Sequence, residues 1–166
     1  MTIPRRRLVG AAVLALAGLP ALAQFTPNQP WDPRARANAL SDADIAYCTA
    51  VLKGVVETQG AAIRPGDNEA RDRLVSVTKS GFAFVGAMIK TGAKREYADS
   101  LLEQAEAVVD KQEASTSPEQ RALVRRQCEE VGAALLKRAS SVERAFISYK
   151  AKKEVERYLA KAAQRR

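Results

Sequence analysis

Two cysteines and the absence of histidine limit the chemistry available to this sequence. Cys48 and Cys128 are the only cysteines, they form no C-x-x-C motif, and the chain contains no histidine. Ser-His-Asp catalysis, Cys-His catalysis, histidine-ligated zinc and histidine general bases are therefore all excluded. A glycine-rich phosphate loop and a G-x-S-x-G motif are also missing. The sequence favours a protein that is not an enzyme and that needs no metal or cofactor.

One group of acidic residues has a spacing that could hold metal ions. Glu103, Glu106 and Asp110 fall on one face of a predicted helix, as carboxylates do in di-metal helical proteins. Those sites also use histidine, which this chain lacks. A solvated helix face is therefore the better interpretation, and capping or solubility accounts for most other acids.

The first 23 residues have the three parts of a secretory signal peptide. Residues 5–7 are three arginines, an apolar run follows over residues 8–19, and Ala21-Leu22-Ala23 matches the cleavage pattern. The run is shorter than the roughly 20 residues that a membrane-spanning helix needs. We expect cleavage after Ala23 and export to the bacterial periplasm, with Sec and twin-arginine export both left open.

Export favours a disulfide, because such bonds form in oxidising compartments. We predict a bond between Cys48 and Cys128; the alternative is two reduced, buried thiols. The bond would close a loop of about 80 residues and stabilise the fold by roughly 4–5 kcal/mol in the chain-entropy model.

Helical spacing of apolar residues and strong capping signals predict an all-α fold. We expect an antiparallel four-helix bundle whose disulfide joins the first and fourth helices. A strand is the alternative for Val75–Phe84, but no second strand is available to pair with it. Thr91-Gly92 predicts a break, with one continuous helix as the alternative. The predicted helices cover residues 41–63, 67–90, 93–113 and 117–140, and their caps include Ser41, Asp67 and Ser117.

Each predicted helix has an apolar stripe that should face the core. Gly81 and Gly86 would in addition permit a close approach between helices. The expected inner residues are Ile45, Cys48, Leu52, Val55, Val56 and Ile63; Leu74, Thr78, Phe82, Val85, Met88 and Ile89; Tyr97, Leu101, Ala105, Val108 and Val109; and Val124, Cys128, Val131 and Leu135, continued by Val142, Phe146 and Tyr149.

The segment before the helices, residues 24–40, is rich in proline. Pro27, Pro30 and Pro33 forbid a stable helix at this spacing and favour extended or turn structure. Trp31, the single tryptophan, either packs against the bundle or faces a partner, and burial of its large ring favours packing.

The positive charge is concentrated at the C-terminal end. Residues 137–166 hold ten Lys/Arg and three Glu, a net +7, whereas residues 24–136 have a net −2. We treat residues 41–140 as the bundle and residues 141–166 as a basic amphipathic extension, which either projects or folds back as a fifth helix. Its apolar face contains Ala151, Val155, Tyr158, Leu159 and Ala162. The residues expected to contact a polyanion are Lys150, Lys152, Lys153, Arg157, Lys161, Arg165 and Arg166.

These features favour an exported, non-catalytic helical protein of the bacterial envelope that binds another protein as an adaptor, chaperone-like factor or inhibitor. The alternative is binding of an anionic lipid or polysaccharide surface through the basic helix, which could also be a merely solvated extension. A third hypothesis is a small-ligand carrier lined by Phe82, Phe84 and Met88. Nucleic acid is disfavoured by the compartment and by the lack of aromatic residues among the cations.

Overall fold

The computed structural model describes residues 32–64 and 66–164, in which every secondary-structure element is an α-helix. The prediction of an all-α fold is therefore confirmed. The predicted signal peptide, Trp31, Arg165 and Arg166 lie outside the described residues, so the expectations for them stay predictions. The helices are α1 (Pro33–Asn38), α2 (Asp42–Ala62), α3 (Asn68–Lys90), α4 (Arg95–Ser115), α5 (Pro118–Arg138) and α6 (Ser141–Gln164).

Side-chain caps fix the starts of α2 and α5. The Ser41 hydroxyl accepts a hydrogen bond from the Asp44 N–H at 3.1 Å, and the Asp44 carboxylate accepts one from the Ser41 N–H at 3.0 Å. Ser117 and Gln120 form the same reciprocal pair at the start of α5, where Pro118 occupies the first helical position. These starts agree with the sequence-based predictions.

The structure decides between the alternatives left open for residues 75–84 and for Thr91-Gly92. Residues 75–84 are helical within α3, so the strand alternative is wrong. The break at Thr91-Gly92 is present, because α3 ends at Lys90 and Gly92 has a φ of +76°. That left-handed conformation favours glycine, which has no side chain to clash with the backbone.

The α2–α3 pair forms the centre of the fold. The two helices pack on each other, α4 packs on α2, α5 packs mainly on α3, and α6 lies against both α3 and α2. α2 also meets α5, so its buried residues lie around much of its circumference rather than in one stripe. The arrangement of α2 to α5 as an antiparallel four-helix bundle stays a prediction.

A disulfide between Cys48 and Cys128 joins α2 to α5, as predicted for the first and fourth helices. The S–S distance is 2.06 Å, the two Cα atoms are 5.3 Å apart, and both cysteines are fully buried. Phe84 and Val131 are fully buried as well and belong to the same apolar core. The bond therefore lies inside the core, away from solvent.

The expectation that the proline-rich segment forms no helix is wrong for residues 33–38, which form α1. Pro33 stands at the first helical position, where the missing N–H has no intrahelical partner to lose. The Asp32 side chain accepts a hydrogen bond from the Arg34 N–H at 2.8 Å and caps the helix. Arg138 of α5 then holds α1 by donating to the Arg34 carbonyl at 2.8 Å.

The C-terminal helix folds back on the other helices. Ala151 and Val155 of α6 are fully buried, and Ile147 is buried beside them. The ion pair Arg71–Glu156, at 3.0 Å, places the start of α3 beside the second half of α6. The ion pair Lys90–Glu143, at 2.8 Å, places the end of α3 beside the start of α6. Of the two alternatives for residues 141–164, the fold-back is the one observed.

Within the described residues, no helix is long and apolar enough to cross a membrane.

Candidate interaction surface

A break at Ser140 sets the direction in which the side chains of α6 point. The Ser140 hydroxyl accepts from the Glu143 N–H at 3.2 Å, and the Glu143 carboxylate accepts from the Ser140 N–H at 2.7 Å. This reciprocal pair starts a new helix after α5 ends at Arg138. Because the chain leaves helical geometry there, the apolar stripe of α5 does not continue in phase into α6.

The prediction that Val142, Phe146 and Tyr149 continue the inner stripe is therefore wrong. Their exposed fractions are 76%, 62% and 61%. With 3.6 residues per turn, they lie opposite the buried face formed by Ala151 and Val155. We call Val142, Phe146 and Tyr149 the outward ridge of α6.

A groove lies beside this ridge, between the end of α3, the end of α5 and the start of α6. It has a volume of about 430 Å³. Its apolar lining includes Phe82, Val85, Ile89, Leu135 and Phe146. Val85 and Ile89 were predicted to face the core, but Val85 is exposed and Ile89 has 71% of its surface in solvent. At the other end of α3, Leu74 and Thr78 lie on the same side of the helix as Val85 and Ile89, and there they are buried.

The rim of the groove carries more positive than negative charge. Lys90 and Glu143 face each other in the ion pair described above, and Arg138 and Lys150 also line the groove. The ion pair and the hydrogen bonds from Ser140 lower the pKa of Glu143 to about 2. Glu143 is therefore ionised at neutral pH and balances Lys90, which leaves Arg138 and Lys150 as the excess charge.

The acids of α6 are all neutralised by neighbouring cations. Glu143 pairs with Lys90, Glu156 pairs with Arg71, and Glu154 pairs with Arg157. The Arg157 guanidinium also lies 5.7 Å from the centre of the Tyr158 ring. By contrast, the exposed residues Lys150, Lys152, Lys153 and Lys161 form no ion pair with any described residue. The outer surface of α6 is consequently cationic.

The structure thus brings together five of the seven residues predicted to contact a polyanion, all of them exposed along α6. The other two, Arg165 and Arg166, lie outside the described residues. Sequence reasoning did not find the outward ridge or the groove. The signal was the capping pair at Ser140 and Glu143, which marks the point where the phase of the helix is reset.

Three acids of α4, Glu103, Glu106 and Asp110, lie on a solvated face of the helix. Glu106 pairs with Lys53 at 2.7 Å, while Glu103 and Asp110 are exposed. No cluster of three potential metal-ligating residues occurs among residues 32–64 and 66–164. Of the residues considered for a small-ligand cavity, Phe84 and Met88 are buried in the core, and Phe82 alone lines the groove.

A second depression of about 410 Å³ lies at the opposite end of α3, between the α2–α3 connection and the end of α6. Ile63, Leu159 and Ala162 supply its apolar lining, and Arg64 and Arg71 stand at its edge. Arg71 is already held by Glu156, and no large apolar side chain is strongly exposed there. This depression is a weaker candidate for binding.

Two other groups with a shifted pKa, Tyr47 and Glu129, belong to the packing of the helices. Burial raises the pKa of Tyr47, whose hydroxyl donates to Gln112 of α4. Burial also raises the pKa of Glu129, against the opposing effects of Arg73 and Arg125. Among the described residues, no buried side-chain nitrogen or oxygen lacks a hydrogen-bond partner. Neither group stands beside the groove lining, so their shifts reflect burial between helices.

No protein-family model, curated protein or solved structure matches the chain. The outward ridge, the groove and the unpaired lysines therefore carry the functional argument.

Proposed function

We propose that this chain is an exported, non-catalytic helical protein of the periplasm that binds another envelope protein, as an adaptor, chaperone-like factor or inhibitor. The scaffold proposed for this role is an antiparallel bundle of α2 to α5, stapled by its disulfide and backed by α6. The groove between α3, α5 and α6 is the proposed binding site.

The observation that carries this proposal is apolar surface that the fold leaves open. Ile89 and Phe146 are large, mostly exposed and on the lining of one groove. Exposed apolar side chains that are grouped rather than scattered mark interaction sites. The excess positive charge of Arg138 and Lys150 on the rim favours a partner segment that combines apolar side chains with carboxylates.

Site-specific photo-crosslinking tests this proposal. A photoreactive phenylalanine at position 89 should give one adduct of constant mass in the periplasm, and Phe146→Ser should reduce its yield. The same probe at Leu123, a partly exposed apolar residue near the start of α5, is the matched control and should give none. Equal labelling at both positions, or an adduct indifferent to Phe146→Ser, would contradict a specific groove.

A second candidate function is binding of an anionic polymer or membrane surface through α6. The four lysines without ion pairs support it, because their charge is not offset within the described residues. Deleting residues 141–166 would be a poor test, since Ala151 and Val155 belong to the core. Replacing lysines on the intact chain and measuring salt-dependent binding to heparin and to anionic vesicles separates this function from a solvated extension.

A further inference from the structure

We infer that the outward ridge of α6, together with Lys150, Lys152 and Lys153, docks the protein on an anionic lipid surface. This inference rests on the second function proposed above and names its ligand class. It goes further, because it assigns a role to apolar residues that a purely electrostatic interaction would not need.

The position of the outward ridge favours a lipid surface as its ligand. Val142 and Tyr149 do not line the groove, and they point away from the face of α6 that buries Ala151 and Val155. A row of side chains on the outside of a helix is convex. A convex apolar row can enter a deformable lipid interface, whereas a protein helix would need a concave groove to receive it.

The order of apolar and basic residues along α6 also favours a lipid surface. The ridge occupies the first third of α6, and the lysines follow immediately. At 3.6 residues per turn, Lys153 continues the ridge while Lys150 and Lys152 stand on either side of it. Long lysine stems can lie along an apolar surface while their ammonium groups reach the phosphates. Tyr149 adds a ring with a polar end, a combination suited to the boundary between headgroups and acyl chains.

The charges on α6 favour a surface that is anionic. The nearest acid on the outward side, Glu156, is neutralised by Arg71, and the remaining acids of α6 are paired as well. The unpaired lysines of α6 can therefore face an anionic surface without an uncompensated carboxylate on the same helix. The groove shares Phe146 and Lys150 with this surface, whereas Val142 and Tyr149 do not line it.

The test uses residues 24–166 and co-sedimentation with vesicles of phosphatidylglycerol and phosphatidylcholine, or of phosphatidylcholine alone. We expect binding only to the anionic vesicles, weakened by added salt. Lys150→Gln, Lys152→Gln and Lys153→Gln together should weaken binding by about 100-fold, since each lysine near such a surface contributes about fivefold. The matched control replaces three exposed cations outside α6 by glutamine, and it should weaken vesicle binding far less. These cations are Arg64, Lys111 and Arg126.

The apolar contribution is tested by Val142→Ser with Tyr149→Ser. We expect a loss of about tenfold or more in vesicle binding, and Leu123→Ser is the control. Both ridge positions are exposed, so an unchanged melting curve will show that the variant is folded. The ridge variant should leave crosslinking at position 89 intact, whereas Val85→Ser should impair crosslinking and spare vesicle binding.

Two results would overturn the inference. If the ridge variant binds anionic vesicles as the parent does, the ridge takes no part in binding and only the second function stands. If the parent binds neither heparin nor anionic vesicles, both that function and the docking inference fail.

Discussion

Gly132 of α5 lies directly against Ser80 of α3, at the closest approach found at any described glycine. A Cβ atom built on Gly132 would be 2.7 Å from the Ser80 Cβ and 2.9 Å from the Ser80 carbonyl oxygen. Both atoms belong to Ser80, which is buried in α3, so neither can move aside without a substantial cost in free energy. The packing of α5 on α3 therefore depends on the absence of a side chain at position 132.

We expect Gly132→Ala to lower the free energy of unfolding by about 2–3 kcal/mol, because overpacking outweighs the gain in helix propensity. Urea denaturation measures the effect. Gly54→Ala in α2 is the matched control, since no atom lies within 4 Å of the added Cβ. That variant should be stabilised by about 0.5–1 kcal/mol. A stabilised Gly132→Ala would show that α3 and α5 do not pack this closely.

Among changes that leave the apolar side chains intact, we expect removal of the disulfide to lower the free energy of unfolding the most. The bond spans 80 positions of sequence between two fully buried cysteines. Cys48→Ala with Cys128→Ala should lower the free energy of unfolding by about 3–5 kcal/mol, mainly by freeing the unfolded chain.

Urea denaturation of the parent with and without reductant gives the control for the double variant. The reduced parent and the double variant should unfold at similar urea concentrations. If reduction leaves the midpoint unchanged, the two cysteines are not joined in the folded protein.

The sequence was a good guide to features that depend on neighbouring residues. The caps at Ser41 and Ser117 and the break at Gly92 follow from local hydrogen bonding and backbone geometry, so they could be predicted. The disulfide could be predicted because the sequence has only two cysteines, which leave a single intramolecular pairing, and because the expected export favours its formation. Pro33 was misjudged because its role depends on position: it breaks a helix interior but suits a helix start.

Features that depend on which helices are neighbours could not be predicted. Periodicity shows that a helix has an apolar face, but it does not show how wide that face is. α2 is surrounded and buries residues on several sides, whereas Val85 and Ile89 of α3 extend beyond the helices that cover it. Gly86 was expected to permit close packing, yet its added Cβ meets nothing within 4 Å. The candidate site was missed for this reason, because it consists of apolar residues that the packing leaves exposed.

Two valines of α6 separate its structural role from its proposed binding role. Val155 is fully buried, and Val142 belongs to the outward ridge. Val155→Ala should lower the free energy of unfolding by about 2–3 kcal/mol, through lost burial and the cavity left behind. Val142→Ala should change it by less than about 0.5 kcal/mol. Equal effects in urea denaturation would contradict the direction in which α6 faces.

Glu143 should make the attachment of α6 dependent on pH. Lys90 and the capping hydrogen bonds from Ser140 hold the pKa of Glu143 at about 2, below its usual 4.5. The carboxylate therefore stabilises the folded state above about pH 4.5, and this contribution declines as the pH falls towards 2. Thermal melting of the parent and of Glu143→Gln should show the parent more stable at pH 7, with the difference shrinking between pH 4.5 and 2. Glu103→Gln, at an exposed acid that forms no ion pair with a described residue, is the control and should melt as the parent does at pH 7. A difference between the parent and Glu143→Gln that stays constant down to pH 2 would mean that the Glu143 carboxylate does not hold α6 to α3.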